Sequence, residues 1–240
     1  MKIDDLKNIL FLDIETVPIE QCYDQLAEPM KKLWDHKASK SYGWEELPVE
    51  ELYDSKAGIF AEFGKIVCIV VGICDLTDPK HLILRVKSFF SHNEKEILTA
   101  FKELLETKFD QQKLRLCAHN GKEFDFPFIC RRMLINAIEL PATLSISGKK
   151  PWEVLHLDTM EMWKFGDRKN FTSLNLLANI FKIPSSKYDI DGSQVRDVYY
   201  NEEGLERITT YCAEDVIVTA RVFLKLMNIH VKLEPQIIDL

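Results

Sequence analysis

The chain has 240 residues, of which 46% are hydrophobic and 29% charged, and its formal net charge is −7. This composition excludes an intrinsically disordered chain, and the longest apolar run, Ile66 to Cys74, is far shorter than the roughly 20 residues that span a bilayer. The negative charge argues against a broad basic surface that coats nucleic acid, but it allows a short end to bind in a cleft through divalent cations.

The first predicted strand covers Asn8–Ile14, which has apolar residues on both faces and is therefore expected near the centre of a sheet. Pro18 ends this strand. Residues 19–64 show no clear periodicity and carry many charges, so we interpret them as an insertion. Short helices are predicted within it, near residues 21–34 and 48–62.

The rest of the chain predicts strands in alternation with amphipathic helices. A polar turn joins the second and third strands into a hairpin, and apolar spacings of three and four residues indicate the helices. The predicted elements are strands Ile66–Cys74 and His81–Phe90, helix Glu94–Lys108, strand Leu114–Ala118, a helix from about Phe126 to Ile138, strand Leu155–Asp158, and helices Ser173–Phe181 and Glu203–Met227. This order predicts a single α/β domain, residues 1–240, with a mixed five-stranded sheet flanked by helices.

Two carboxylates stand at the end of the first predicted strand. Because side chains alternate along a strand, Asp13 and Glu15 are expected to point to the same side. Two carboxylates about 4 Å apart repel each other by roughly 4 kcal/mol at an effective dielectric constant of 20. The pair therefore predicts a site for a hard divalent metal ion; the alternative is that Glu15 is solvated and Asp13 caps a turn.

A second acidic residue of interest follows a later strand. Asp125 lies after a glycine-containing loop and before a helix that has Pro127 in its first turn. Such loops leave the carboxyl ends of strands, where open α/β sheets place their ligands, and Asn120 in this loop can both donate and accept hydrogen bonds. The alternative is that Asp125 is a helix N-cap and binds nothing.

The third feature lies on the last long predicted helix. Tyr211 and Asp215 are four residues apart and therefore lie on the same side of the helix, beside its apolar stripe. This spacing fits a pair of active-site side chains, and it equally fits a simple hydrogen bond or a surface pair.

Taken together, the three features resemble the DEDDy branch of the 3′–5′ exonucleases, in particular stand-alone enzymes similar to the proofreading domain of family-B DNA polymerases. The segments that carry the resemblance are FLDIET, HNGKEFDFPFICRR, LDTMEMWKFGDRKNFTSLNLLANIFKI, DIDGSQVRDVYY and YCAEDVIVTARVF. They cover most of the chain, although no function is carried over to residues 19–64. The resemblance implies a ribonuclease-H-like fold and hydrolysis of phosphodiester bonds at 3′ ends by a two-metal mechanism.

The resemblance also implies a role for each residue. The cofactors would be two divalent metal ions, Mg²⁺ or Mn²⁺, which prefer oxygen ligands. Asp13 would bridge both ions, and Asp125 would hold the second. Glu15 and Asp215 would complete the first ion's site, and Tyr211 would orient the attacking water.

The expected partner is the 3′ end of a single-stranded nucleic acid, with DNA favoured over RNA. By resemblance, Asn120 would contact the terminal nucleotide through a hydrogen bond and Phe124 through packing. The alternatives are the same chemistry on short RNA, and a non-catalytic nucleic-acid-binding or scaffolding module of the same fold. Because this sequence contains no polymerase or helicase segment, a proofreading role would need a replication or repair partner in trans.

Basic and aromatic residues occur together in the second half of the chain. Residues 163–169 and the pair Asn170–Phe171 have the mixture that stacks on single strands. The alternative places Trp163 and Phe165 in the core. Lys149–Lys150 predicts an exposed loop that either touches phosphates or only adds to solubility.

The cysteines and the N-terminus predict a location. Six scattered cysteines without a C-x-x-C pair are typical of reduced thiols in a cytosol. Asp4 and Asp5 precede any apolar stretch, so the features of a signal peptide are missing. We therefore expect a cytoplasmic protein that does not associate with membranes.

Overall fold

The computed structural model describes residues 3–40, 47–78, 81–167, 171–184 and 190–238, and these form a mixed six-stranded sheet between helices. The strands are β1 (Ile9–Pro18), β2 (Gly64–Asp78), β3 (His81–Phe90), β4 (Arg115–Ala118), β5 (Leu157–Asp158) and β6 (Lys232–Ile237). The helices are α1 (Glu28–Ser39), α2 (Val49–Lys56), α3 (Glu94–Lys108), α4 (Asp125–Ile135), α5 (Thr159–Lys164), α6 (Leu174–Ile180), α7 (Val195–Asn201) and α8 (Leu205–Leu226). The strand order is β5-β4-β1-β2-β3-β6.

Strand β1 lies inside the sheet, as its apolar residues on both faces predict. It pairs with β2 in the antiparallel and with β4 in the parallel direction. Asp13 faces Val70 and Glu15 faces Cys68, and the register shifts immediately after Glu15. Strand β4 ends at Ala118, and its pairing with β1 covers only Ile9 to Phe11. The last residues of β1 therefore extend past β4, next to the loop that leads into α4.

Helix layers cover the two faces of the sheet. Ile9 and Phe11 of β1 belong to the core that α8 helps to form, and the Phe11 ring lies 5.4 Å from that of Phe223. Leu10 belongs to the opposite core, under α3 and α4. Helix α8 approaches β2 closely at Gly72, where a Cβ atom would come within 3.0 Å of a side-chain atom of α8. The absence of a side chain at Gly72 thus lets α8 lie directly on the central strands.

A buried ion pair fixes α4 relative to α3 and β2. The Arg132 guanidinium donates to both oxygens of Glu94, at 2.6–3.1 Å, and to the carbonyl of Ala61 at 2.9 Å. Glu94 also accepts a hydrogen bond from the backbone N–H of Ile66 at 2.7 Å. Because these charges are buried and paired, the geometry between them is well defined. The N-terminus of α4, which carries Asp125, is held in place through this contact.

The segment predicted to be an insertion contains a small core of its own, built around Trp34 and Tyr53 with edge-to-face rings 5.4 Å apart. Helix α1 begins and ends later than the helix predicted near residues 21–34, and α2 ends earlier than the one predicted near residues 48–62. The segment contacts β1 through a hydrogen bond from the Thr16 hydroxyl to the Gly58 carbonyl, 2.8 Å long. It therefore lies beside the end of β1 from which Asp13 and Glu15 project.

The α/β class and the mixed sheet are confirmed, but the predicted number of five strands is wrong. The sixth strand, β6, runs parallel to β3 at the edge of the sheet. Its sequence contains Pro235 and several charged residues, and Leu233 is its only buried residue. An edge strand tolerates proline and needs little apolar alternation, so its sequence lacks the usual signal.

Other boundaries also differ from the predicted ones. Strand β2 continues to Asp78, through residues predicted to form a polar turn, and the helices α5 and α7 were not predicted. Strand β5 has only two residues. Among the described residues, no helix combines the length and the apolar character needed to cross a membrane.

Candidate active site

Asp13 and Glu15 project from β1 toward α8, on the same side of the sheet. Their carboxylate oxygens and the Cys212 sulfur of α8 all lie within 4.8 Å of one another. The Cys212 thiol donates a hydrogen bond to Asp13 Oδ2 at 3.3 Å. The alternation of β1 and the approach of α8 thus bring two carboxylates together in a half-buried position.

Asp125 reaches the same place from the other side of the sheet. It is the first residue of α4 and is buried, whereas the N-cap position is occupied by Phe124 rather than by Asp125. Its carboxylate accepts a hydrogen bond from the backbone N–H of Ile14, on the part of β1 that β4 leaves unpaired. The Asp125 side chain therefore contacts β1 at Ile14, the residue that lies between Asp13 and Glu15.

Tyr211 and Asp215 approach the pair from α8. The Tyr211 hydroxyl and the Asp215 carboxylate are joined by a hydrogen bond, and burial is the main cause that raises the pKa of Tyr211 above its usual value. Asp215 is close enough for its charge to raise the pKa of both Asp13 and Glu15. The predicted alternatives for this pair were a simple hydrogen bond or a surface pair; the hydrogen bond is present, and it lies among other carboxylates.

Burial and neighbouring charges raise the proton affinity of Asp13, Glu15 and Asp125. Burial, followed by the charges of Asp125 and Asp215, raises the pKa of Asp13 well above its usual value. Burial is also the largest cause for Glu15, whose pKa is likewise raised. For Asp125 burial raises the pKa from 3.8 to about 7, against the opposing effect of its backbone hydrogen bonds. The site is therefore poised to take up positive charge.

The donor atoms of this site fit hard divalent cations. Within the described part of the chain, no lysine, arginine or histidine forms an ion pair with Asp13, Glu15 or Asp125. Carboxylate oxygens are the ligands that Mg²⁺ and Mn²⁺ prefer. A bound divalent cation would supply the positive charge that the side chains lack.

The two residues predicted to contact a nucleotide lie on the loop before α4. Asn120 has a left-handed backbone conformation (φ 64°), which asparagine tolerates better than most residues. Its carbonyl accepts the N–H groups of Glu123 and Phe124, at 3.2 and 3.0 Å. The half-buried Phe124 ring packs against Phe128, with 5.4 Å between centroids. Both residues thus have fixed positions within five residues of Asp125.

The structure adds a residue that the sequence reasoning missed. Asp158, at the end of β5, is buried and accepts four backbone N–H groups at 2.9–3.1 Å. Two belong to Asn120 and Lys122 of the loop, and two belong to the first turn of α5. The available signal was local: an aspartate before a helix is a favoured N-cap. Its second role is to accept N–H groups of a loop almost 40 residues earlier, and no sequence pattern indicates this contact.

A histidine adds to the support of this loop. Both ring nitrogens of His119 have partners, Nδ1 with the Thr159 hydroxyl and Nε2 with the Thr172 carbonyl, each at 2.9 Å. Because a carbonyl only accepts, Nε2 carries the hydrogen. Burial lowers the pKa of His119. His119 therefore joins the loop to the segments on either side of residues 168–170, which lie outside the described part.

Comparison with known proteins identifies the family. A family model described as "predicted 3'-5' exonuclease related to the exonuclease domain of PolB" matches residues 61–239. The chain belongs to this family. Among solved structures, the chain is similar to the family B DNA polymerase of the hyperthermophilic archaeon Pyrobaculum calidifontis, with a TM-score of 0.61 and 13% sequence identity. The similarity covers 91% of this chain but only 24% of that polymerase, and no curated protein matches the chain.

This match confirms the predicted family, which consists of predicted 3′–5′ exonucleases related to that of PolB, and the solved structure confirms the predicted ribonuclease-H-like fold. The family match contains Asp125, Tyr211 and Asp215 but starts after Asp13 and Glu15. The roles of individual residues therefore depend on geometry, and they stay predictions.

The first testable prediction for this PolB-related exonuclease concerns pH and the metal-free protein. A pKa of about 7 for Asp125, against the usual 3.8, means that the folded state holds its proton more tightly than the unfolded state. This contribution to stability is complete below about pH 4 and is lost as the pH rises through about 7; it amounts to at most about 4 kcal/mol. In EDTA, urea unfolding should show a smaller free energy of unfolding at about pH 8 than at about pH 5.

Two comparisons make this measurement specific. Asp125→Asn should flatten the pH dependence, whereas Asp24→Asn, an exposed control in the inserted segment, should not change it. Adding Mn²⁺ at about pH 8 should restore stability to the wild type. A free energy of unfolding that rises with pH in EDTA, or equal profiles for wild type and Asp125→Asn, would contradict the account.

The second prediction concerns the support of the loop. Asp158→Ala leaves four backbone N–H groups without their acceptor, so it should cost at least about 2 kcal/mol of stability. Hydrogen exchange of peptides that contain Asn120 and Lys122 should become faster, while the centre of β2 stays protected. Asp191→Ala is the matched control, because Asp191 is exposed and accepts only local hydrogen bonds. Unchanged exchange in the loop would show that Asp158 does not hold it.

Proposed function

We propose that the protein removes nucleotides from the 3′ ends of single-stranded nucleic acid, preferably DNA, with two divalent metal ions, Mg²⁺ or Mn²⁺. The observation that carries this proposal is that burial and the charges of Asp125 and Asp215 raise the pKa of both Asp13 and Glu15 well above their usual values. A fold without a ligand here would have to tolerate that repulsion. Bound divalent cations would compensate for this repulsion and would place positive charge where a phosphodiester is hydrolysed.

The side chains suggest how the ions would be held. Asp13 is the carboxylate that all the others influence, so it is suited to be shared by both ions. Glu15 and Asp215 would complete one site, and Asp125 would hold the other. When bound, the ions would supply positive charge to the phosphate and to the attacking and leaving oxygens.

Tyr211 would position the attacking water rather than remove its proton. Its pKa is raised, mainly by burial and next by the charge of Asp215, so the phenol stays protonated at neutral pH. A neutral hydroxyl that is already hydrogen-bonded to Asp215 has a fixed orientation. Such an oriented group reduces the reorganisation that hydrolysis requires.

The substrate preference has two supports. The related exonuclease domain and the similar solved structure both belong to DNA polymerases by their names, which favours DNA over RNA. The fixed backbone of Asn120 and the packed ring of Phe124 flank Asp125, so both are suited to contact the terminal nucleotide. Short RNA is the second candidate, because the reaction at phosphorus is the same.

The third prediction tests this function directly. With Mg²⁺ or Mn²⁺, the wild type should shorten 5′-labelled single-stranded DNA stepwise from its 3′ end. Asp215→Asn should abolish the activity, and Tyr211→Phe should lower kcat by about 10²–10³-fold, as for the loss of one oriented donor. EDTA should stop the reaction, and gel analysis of the products measures each of these results.

The controls distinguish the alternatives. Asp24→Asn should keep wild-type activity, and RNA of the same sequence should be degraded more slowly than DNA. Faster degradation of RNA would overturn the DNA preference, and internal cuts would indicate an endonuclease. Binding without any product would favour a non-catalytic module.

A further inference from the structure

A cleft of about 760 Å³ opens beside the loop that leads into α4 and Asp125. It is bordered by the loop before α4, by the end of α5 and by residues 146–154. Asn120, one of the residues proposed to contact the terminal nucleotide, also lines this cleft, as does Asp158, which holds the loop. Through Glu123 and Phe126 the cleft reaches the N-terminus of α4, which carries Asp125, whereas Tyr211 and Asp215 line another pocket.

Exposed aromatic side chains occur close in sequence to residues that line this cleft. Among the described residues, the three most exposed large hydrophobic side chains are Phe165 (86%), Trp152 (74%) and Phe171 (72%). Trp152 lies between cleft-lining residues 149 and 154, and Phe165 lies between 164 and 166. Phe171 adjoins Thr172, which is hydrogen-bonded to His119. Trp152 and Phe165 therefore belong to the segments that form the walls of the cleft, with their side chains exposed to solvent.

The backbone adds to this argument at Phe165. The alternative that places Trp163 and Phe165 in the core fits only Trp163, a partly buried residue whose ring packs on Phe181 at 5.6 Å. Phe165 ends α5 in a left-handed conformation (φ 44°, ψ 34°), which bulky residues rarely adopt. Its exposed ring makes no core contact that would compensate for this strain. Strain of this kind is found preferentially at functional positions.

The charges in the cleft are nearly balanced. Lys122 is engaged in an ion pair with Glu161 at 2.6 Å, and the carboxylate of Asp158 is occupied by backbone N–H groups. The other charged lining residues are Lys149, Lys164, Glu123 and Asp167. Charge alone would therefore attract a polyanion only weakly. The Lys150 ammonium, 5.3 Å from the Trp152 ring, adds a cation beside an aromatic surface.

We propose that this cleft binds the unpaired nucleotides that precede the scissile bond, by stacking their bases on Trp152 and Phe165. The proposal rests on the proposed function, because it supplies the path of the same strand. Stacking suits this cleft because every base offers an aromatic face and the bases of a single strand are accessible. Paired bases in a duplex are not accessible in this way, so the cleft selects single-stranded substrate.

The fourth prediction separates binding along the strand from the reaction itself. The double variant Trp152→Ala/Phe165→Ala should raise KM for a long single-stranded oligonucleotide by about 10-fold or more, the range expected for loss of stacking. Its kcat/KM for a dinucleotide, which is too short to reach these rings, should stay within about twofold of wild type. The single variant Trp152→Phe, which keeps an aromatic face, should retain most of the wild-type affinity for the long substrate.

Leu134→Ala is the matched control, because Leu134 is an exposed large hydrophobic residue at the far end of α4. An equal KM for the long oligonucleotide in the aromatic double variant and in this control would overturn the proposal. So would an equal loss of activity on the dinucleotide and on the long substrate.

A binding measurement keeps this test separate from the proposed function. Fluorescence anisotropy of a labelled single-stranded oligonucleotide, measured with the Asp215→Asn protein, needs no turnover. Binding that is lost in the Asp215→Asn/Trp152→Ala/Phe165→Ala protein would support the path even if the wild type hydrolysed nothing. Hydrolysis by the wild type, with binding unaffected by the aromatic substitutions, would contradict the path and leave the nuclease function standing.

Discussion

The repulsion among clustered carboxylates is the constraint on which the structure depends. Asp13, Glu15, Asp125 and Asp215 come from three separate elements, and the charges of Asp125 and Asp215 raise the pKa of both Asp13 and Glu15. In a protein interior such charges are compensated by a cation or by protons. Protonated acids would leave the fold stable but chemically inert at this place. Divalent cations would stabilise it and also create a reaction centre.

The scaffold around these side chains holds them at close range against their repulsion. Strand β1 is paired on both sides, and the N–H group of Ile14, which lies beyond the part of β1 that pairs with β4, donates to the Asp125 carboxylate. Gly72 lets α8 lie directly on the sheet, and the buried Glu94–Arg132 pair fixes α4. A dense, well-paired framework of this kind resists relaxation, so the acids cannot move apart without disturbing the core. The unfavourable repulsion at the site is therefore offset by stabilising contacts elsewhere in the sheet and helices.

The sequence is most informative where an interaction is local. The alternation of a strand is sufficient to predict that Asp13 and Glu15 share a side, and the structure brings their carboxylates together. The strand that contains Pro235 was missed because an edge strand has little periodic burial. The loop contacts of Asp158 and the left-handed backbone of Phe165 were unpredictable for another reason: they depend on partners or turns that no spacing encodes. Short-range periodicity therefore predicts the side chains of the candidate site better than the contacts that support them.

We propose that these four carboxylates hold a pair of divalent ions. Anomalous diffraction from a crystal soaked in Mn²⁺ tests it most directly, because manganese positions are identified independently of the protein atoms. The account predicts two anomalous peaks, one enclosed by Asp13, Glu15 and Asp215 and the other between Asp13 and Asp125. Carboxylates that point apart with no anomalous density between them would contradict it.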